Sequence, residues 1–174
     1  MNIQKYDMFT LRRDKSSHIS INSIKKPMDN IFYIRIFLIH CLRNTSNFIN
    51  AIQTYSKDGM SFELLEVNMD NKNNLVYLSE CWYDYKDKPT TPEIDKLLEE
   101  DNFIELCKMG FLDYIALTKE NFIHLLLTWD KILEQLPPFA LLYLDDKNWY
   151  DVLPFESQQA MEAFVVTHTK KEII

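Results

Sequence analysis

Apolar and polar positions change their spacing several times along this chain, and each change predicts an element. Met8-Phe9-Thr10-Leu11, followed by Arg12-Arg13-Asp14, reads as a short strand and turn, and His18-Ile19-Ser20-Ile21 alternates as a second strand. Pro27, Asp29 and Asn30 then punctuate the chain ahead of Ile31 to Ile39. That run is dense in β-branched and aromatic residues, which suits a buried strand, yet its length permits a helix capped by Asp29, and periodicity does not decide between them. Thr45 or Ser46 can cap a helix that places Phe48, Ile49, Ile52 and Tyr55 on one face, with Asp58-Gly59 as its stop. Ser61 to Val67 and Leu75 to Ser79 flank the polar turn Asn68 to Asn74, the pattern of an antiparallel hairpin.

The second half is punctuated more sharply. Thr91-Pro92-Glu93 is a helix start, with proline at the first helical position and an acid near the positive dipole end. Its stripe runs through Ile94, Leu97, Leu98, Phe103, Ile104, Leu106 and Cys107, breaks near Asp101-Asn102, and ends at Gly110. Tyr114 to Leu117 is a strand. Thr118 caps the following helix, with Asn121 where a capping-box acid would sit. Phe122, Ile123, Leu126, Leu127, Trp129, Ile132 and Leu133 line that helix until Pro137-Pro138 stops it. Phe139 to Leu144 and Trp149 to Leu153 form a second hairpin about Asp145 to Asn148. Ser157 caps a last helix through Met161 and Phe164, and residues from Thr167 onward are expected to fray. The sum is an α+β fold over residues 1–174 as a single domain, with a mixed or antiparallel sheet built from hairpins and several packed helices.

Composition agrees with one core: 174 residues, 47% hydrophobic and 13% aromatic, carry enough apolar surface to bury. The most apolar stretch, Ile31 to Leu42, is interrupted by Arg35 and His40 and falls short of the roughly 20 residues of a bilayer span, so no membrane contact is expected. No apolar run follows a basic start at the N-terminus, which predicts a chain without a secretory leader, resident in the cytoplasm. Cys41, Cys81 and Cys107 are then expected as reduced, buried thiols. Charge is unevenly spread. Residues 1–57 hold nine Lys/Arg against three Asp/Glu, net +6, whereas residues 58–174 hold ten against twenty-three, net −13. Most of the chain therefore repels nucleic acid, and its acidic surface suits either plain solubility or a basic partner.

Catalytic chemistry finds little footing. No G-x-S-x-G occurs, and His40 and Cys41, being adjacent, point to different faces of any regular element. His18, His40, His124 and His168 are isolated from one another without C-x-x-C or H-x-x-x-H spacing, so no metal site is expected, and His124 beside Leu125 to Leu127 reads as a structural histidine. Two glycines, Gly59 and Gly110, cannot build a phosphate cradle, so no cofactor is expected. His18-Ile19-Ser20 matches one half of the paired H-x-[ST] element of some phosphoesterases, but no second copy follows. The sequence is therefore read as that of a non-enzyme, with an enzyme of unrecognised class acting on a small molecule as the alternative.

A sharper signal comes from aromatic residues set among carboxylates. Trp82, Tyr83, Asp84, Tyr85 and Asp87 follow the first hairpin, and Asp145, Asp146, Trp149, Tyr150 and Asp151 surround the second turn. Trp and Tyr serve as binding anchors and neighbouring charge steers a partner, so these residues are the candidate contact surface, with Glu99, Glu100 and Asp101 as a further acidic candidate. The alternative is that Trp82 and Trp149 are half-buried edge residues.

From Glu120-Asn121-Phe122 through Trp129-Asp130 to Leu144-Asp145-Asp146, Trp149 and Phe155, the chain resembles the small acidic immunity proteins of bacterial contact-dependent growth inhibition and related toxin systems. The resemblance implies a cytosolic protein that binds and blocks the toxin domain of its own system, commonly a basic nuclease. It carries no binding residue across by motif and leaves the oligomeric state open.

Overall fold

Ile3–Arg13 (β1) and Ile19–Ser23 (β2) pair as an antiparallel hairpin, with Leu11 opposite Ile21, as the alternating N-terminal pattern predicts. The computed structural model describes residues 1–15, 19–24, 29–40, 45, 48–50, 60–62, 65–80 and 88–169. Within these, Met60–Phe62 (β3), Leu65–Asp70 (β4), Leu75–Glu80 (β5) and Tyr114–Thr118 (β6) form one four-stranded sheet in that order. The other sheet has the order β2-β1-β7-β8, where Phe139–Asp145 is β7 and Tyr150–Phe155 is β8. Every named strand pair is antiparallel, and a lone parallel bridge joins Ile3 to Thr169. The α+β fold expected from the sequence is present; its described strands make two antiparallel sheets, one of them joined by the pairing of β1 with β7 across the length of the chain.

The undecided run at 31–39 is a helix, Phe32–His40 (α1), entered through a tight turn at Asp29–Ile31. Its missing periodicity has a physical cause. Tyr33, Ile34, Phe37 and Leu38 share one core with Phe9 and Leu11 of one sheet and with Leu65, Val67, Val76 and Leu78 of the other. A helix apolar on most sides is what a position between two sheets demands. Lys119–Gln135 (α4) joins this layer through Phe122, Leu125, Leu126, Trp129 and Ile132, and Trp129 Nε1 donates to the Leu38 carbonyl at 2.9 Å.

Two outer layers flank this core among the described residues. Gln158–His168 (α5), capped by Ser157, sets Met161 and Val165 on Leu141, Tyr143, Met8 and Ile3, and a register shift between Ile3 and Lys5 turns Ile3 to that face. On the far side, Pro92–Glu99 (α2) and Phe103–Lys108 (α3) place Leu106 and Cys107 over Tyr77. The expected break falls between them: Asn102 N–H donates to Leu97 O at 2.8 Å and Asp101 N–H to Leu98 O at 3.2 Å, with Asp101 left-handed at φ 51°. This is a Schellman closure, repeated at the end of α3 with Gly110 in the same position at φ 74°.

Several expectations need correction or fall outside the described residues. Residues 61–67 are not one strand, since Ser61 pairs with Glu66 of β4, and the polar turn shrinks to residues 71–74 because β4 continues through Asn68 and Asp70. Thr45 and residues 48–50 are helical, while the rest of that helix, with Ser46 and Asp58-Gly59, lies outside, as do His18, Cys41 and Cys81. Cys107 is a buried free thiol. Among the described residues no helix is long and apolar enough to cross a membrane.

Candidate functional site: the second hairpin and its neighbouring helix

Asp145 opens the β7–β8 turn and holds it together. Its Oδ1 accepts from the amides of Lys147 at 2.8 Å and Trp149 at 2.9 Å, while its own amide donates to Trp149 O at 3.0 Å. Asn148 takes the left-handed conformation at φ 58° that the turn needs and that asparagine tolerates. Asp146, the next residue, stays exposed at the tip.

Beyond the turn, Trp149 is half-buried against His124 of α4, ring centroids 5.3 Å apart. His124 Nε2 meets Asp151 Oδ1 at 2.9 Å, and Thr128 Oγ1 lies 3.5 Å from the same nitrogen. With 40% and 23% of their side chains exposed, His124 and Asp151 form a pair that water screens, worth little to stability but available to a partner. A hydrolase-type relay uses both ring nitrogens of histidine, one toward the nucleophile and one toward the acid. Here Asp151 and Thr128 both lie at Nε2, so one nitrogen of the ring is held against β8.

The outward edge of β8 is closed by side chains. Asn121, buried on α4, receives the Tyr150 N–H on its Oδ1 at 2.8 Å and donates from Nδ2 to Tyr150 O at 2.6 Å. Two residues on, the Val152 N–H is met by Asp151 Oδ1 at 2.8 Å. Two further on, the residue is Pro154, which has no N–H to leave open. An edge so blunted resists strand addition, so recognition here would run through side chains. Burial pushes the Tyr150 hydroxyl up to about 12, and burial with the nearby Asp151 and Asp145 charges does the same for Tyr143.

The expected contact residues therefore separate. Trp149 and Asp151 meet at His124 on one partly exposed surface, and Asp146 stands exposed at the turn tip, its Oδ1 accepting from the Asn2 amide at 3.3 Å. Tyr150 is buried in the main core, and Asp145, partly exposed, gives its Oδ1 to two turn amides. Glu99, Glu100 and Asp101 are exposed but belong to the α2–α3 layer beyond the other sheet, and the structure does not bring them to the hairpin. Trp82, Tyr83, Asp84, Tyr85 and Asp87 lie outside the described residues. Sequence reasoning missed His124, Thr128 and the exposed Leu127 of α4; the helical spacing of 124, 127 and 128 on one face was the signal available.

Among the described residues no group of histidine, cysteine and carboxylate side chains could hold a metal ion. Comparison of the chain with protein-family models, curated proteins and solved structures returns no match.

Proposed function

We propose that the chain is an immunity-type inhibitor, a cytosolic protein without catalysis of its own that binds and blocks a basic, nuclease-type toxin domain. The observation that carries the reading is Trp149, half-buried against His124 and flanked in the chain by Asp146 and Asp151 at the end of a hydrogen-bonded hairpin. A large ring held in place costs little entropy to dock, and the carboxylates beside it steer a cationic surface. The closed β8 edge supports contact through side chains, and the net −13 of residues 58–174 supports a basic protein over nucleic acid as the partner. The alternative is an enzyme acting on a small molecule, for which the His124–Asp151 pair would be the starting point.

The test is titration of the purified chain into any basic toxin domain found encoded beside its gene. Stoichiometric loss of that protein's toxic activity is expected. Full activity at a severalfold excess of the chain would overturn the proposal.

A further inference from the structure

The His124 ring at the hairpin end is fixed from two sides. Its Nε2 lies 2.9 Å from Asp151 Oδ1 and 3.5 Å from Thr128 Oγ1, and the ring lies against Trp149 with centroids 5.3 Å apart. A carboxylate can only accept, so the nitrogen that meets Asp151 carries a hydrogen whether the ring is neutral or charged. The neutral ring is thereby the Nε2–H tautomer, with its lone pair on Nδ1. That second nitrogen meets no partner among the described residues and, unlike the Asn68 amide nitrogen, is not sealed from solvent, on a side chain 40% exposed.

Asp151 does more than hold the ring. Its Oδ1 also accepts from the Val152 amide at 2.8 Å, which fixes the carboxylate, and a fixed negative charge on Nε2–H pushes electron density toward Nδ1 and makes it a stronger acceptor. A preset acceptor therefore stands beside a preset indole. The other ionisable groups about the ring are Tyr143, directly across the ladder from Asp151, Asp145 at the end of β7, Asp146 and Lys147 in the turn, and on α4 Glu120 one turn before and Lys131 two turns after. Ordinary carboxyl and lysine groups keep one charge state between about pH 5.5 and 8, and Tyr143 is pushed up to about 12. Imidazole is the side chain that changes charge within that range.

We infer that His124 Nδ1 is the acceptor for an arginine guanidinium of the basic partner, seated beside Trp149, so that the hairpin end binds while the ring is neutral and releases when it is protonated. Arginine fits because its planar head donates in the plane and stacks on aromatic faces. Protonation acts twice, since it removes the acceptor and sets a like charge against the ligand. The inference rests on the reading of the chain as a binder of a basic protein, and it adds to that reading a contact residue and a pH range.

The test uses the full chain and a hexa-arginine peptide, followed by nitrogen and proton NMR of the His124 ring and the Trp149 indole at about pH 8 and about pH 5.5. At the upper pH the free ring should carry hydrogen on Nε2 alone, and the peptide should shift both Nδ1 and the indole N–H. Affinity should fall about fivefold or more at the lower pH. His124→Gln keeps a donor for Asp151 and takes up no proton there, so its affinity should hold between the two values; the other histidines are common to both chains and cancel in the comparison. A neutral ring with hydrogen on Nδ1, an Nδ1 signal unmoved by the peptide, or the same pH dependence in a folded His124→Gln variant each overturns the inference. Peptide binding at Trp149 that is equal at both pH values removes the role of His124 and leaves the binding of a basic protein to be judged on its own titration.

Discussion

The side chain of Asn121 mimics a neighbouring strand for Tyr150, taking its N–H at 2.8 Å and giving a hydrogen bond to its carbonyl at 2.6 Å. One buried amide thereby ties α4 to β8 and closes the sheet edge beside the proposed contact surface. Replacing it by an apolar residue of similar size strands both backbone groups of Tyr150, at about 1–3 kcal/mol for a buried polar group left unmet. Asn121→Leu should therefore lose about 2–4 kcal/mol in urea unfolding and aggregate more readily. A loss below about 0.5 kcal/mol would mean that the edge is satisfied some other way.

Neighbouring aspartates in the turn should behave differently. Asp145→Ala removes the acceptor of two turn amides and should cost about 1–2 kcal/mol, while Asp146→Ala, exposed at the tip, should stay within about 0.5 kcal/mol. Thermal unfolding of the two variants separates them, and equal Tm values would contradict the assignment of Asp145 to structure.

Asp7 carries a signed pH dependence. Its carboxylate is buried between the Ser23 hydroxyl at 2.8 Å and Arg35 Nε at 2.6 Å, yet desolvation outweighs both and raises its pKa above the ordinary 3.8. A carboxyl raised in the folded state binds its proton more tightly there than in the unfolded chain. Its contribution is present in full below pH 3.8 and is lost as pH rises through the folded value. Asp7→Asn removes that descent, so the stability of the variant relative to the natural chain should climb as pH rises from below 3.8 toward neutrality. Urea unfolding of both proteins across that range checks it, and a difference independent of pH would refute it.

How much of this was legible beforehand depends on the distance over which the cause acts. Caps and stops are local chemistry, so Thr91-Pro92, Thr118, Ser157 and the break at Asp101-Asn102 are found where the sequence places them. The second hairpin follows for the same reason. The split into two sheets does not, because Phe9 meets Ala140 only through the folded chain, and neither does helix α1, whose apolar surroundings erase its periodicity. At the proposed contact surface, Asp146 and Trp149 were visible as turn residues, whereas His124 reached Asp151 from another element, 27 positions away. The buried row at Glu66, Asn68 and Asp70 was hidden most completely, since alternation in a strand predicts solvent for it.

The central claim is that a basic protein is bound through the hairpin end, and the dissociation rate of Trp149→Ala tests it most directly. Against a basic toxin domain of the proposed kind, the natural chain should bind with association that slows as salt is added. Trp149→Ala, confirmed folded by circular dichroism, should dissociate about 30-fold faster or more, the equivalent of a hot spot of about 2 kcal/mol. An unchanged dissociation rate in the folded variant would place the interface elsewhere and contradict the account.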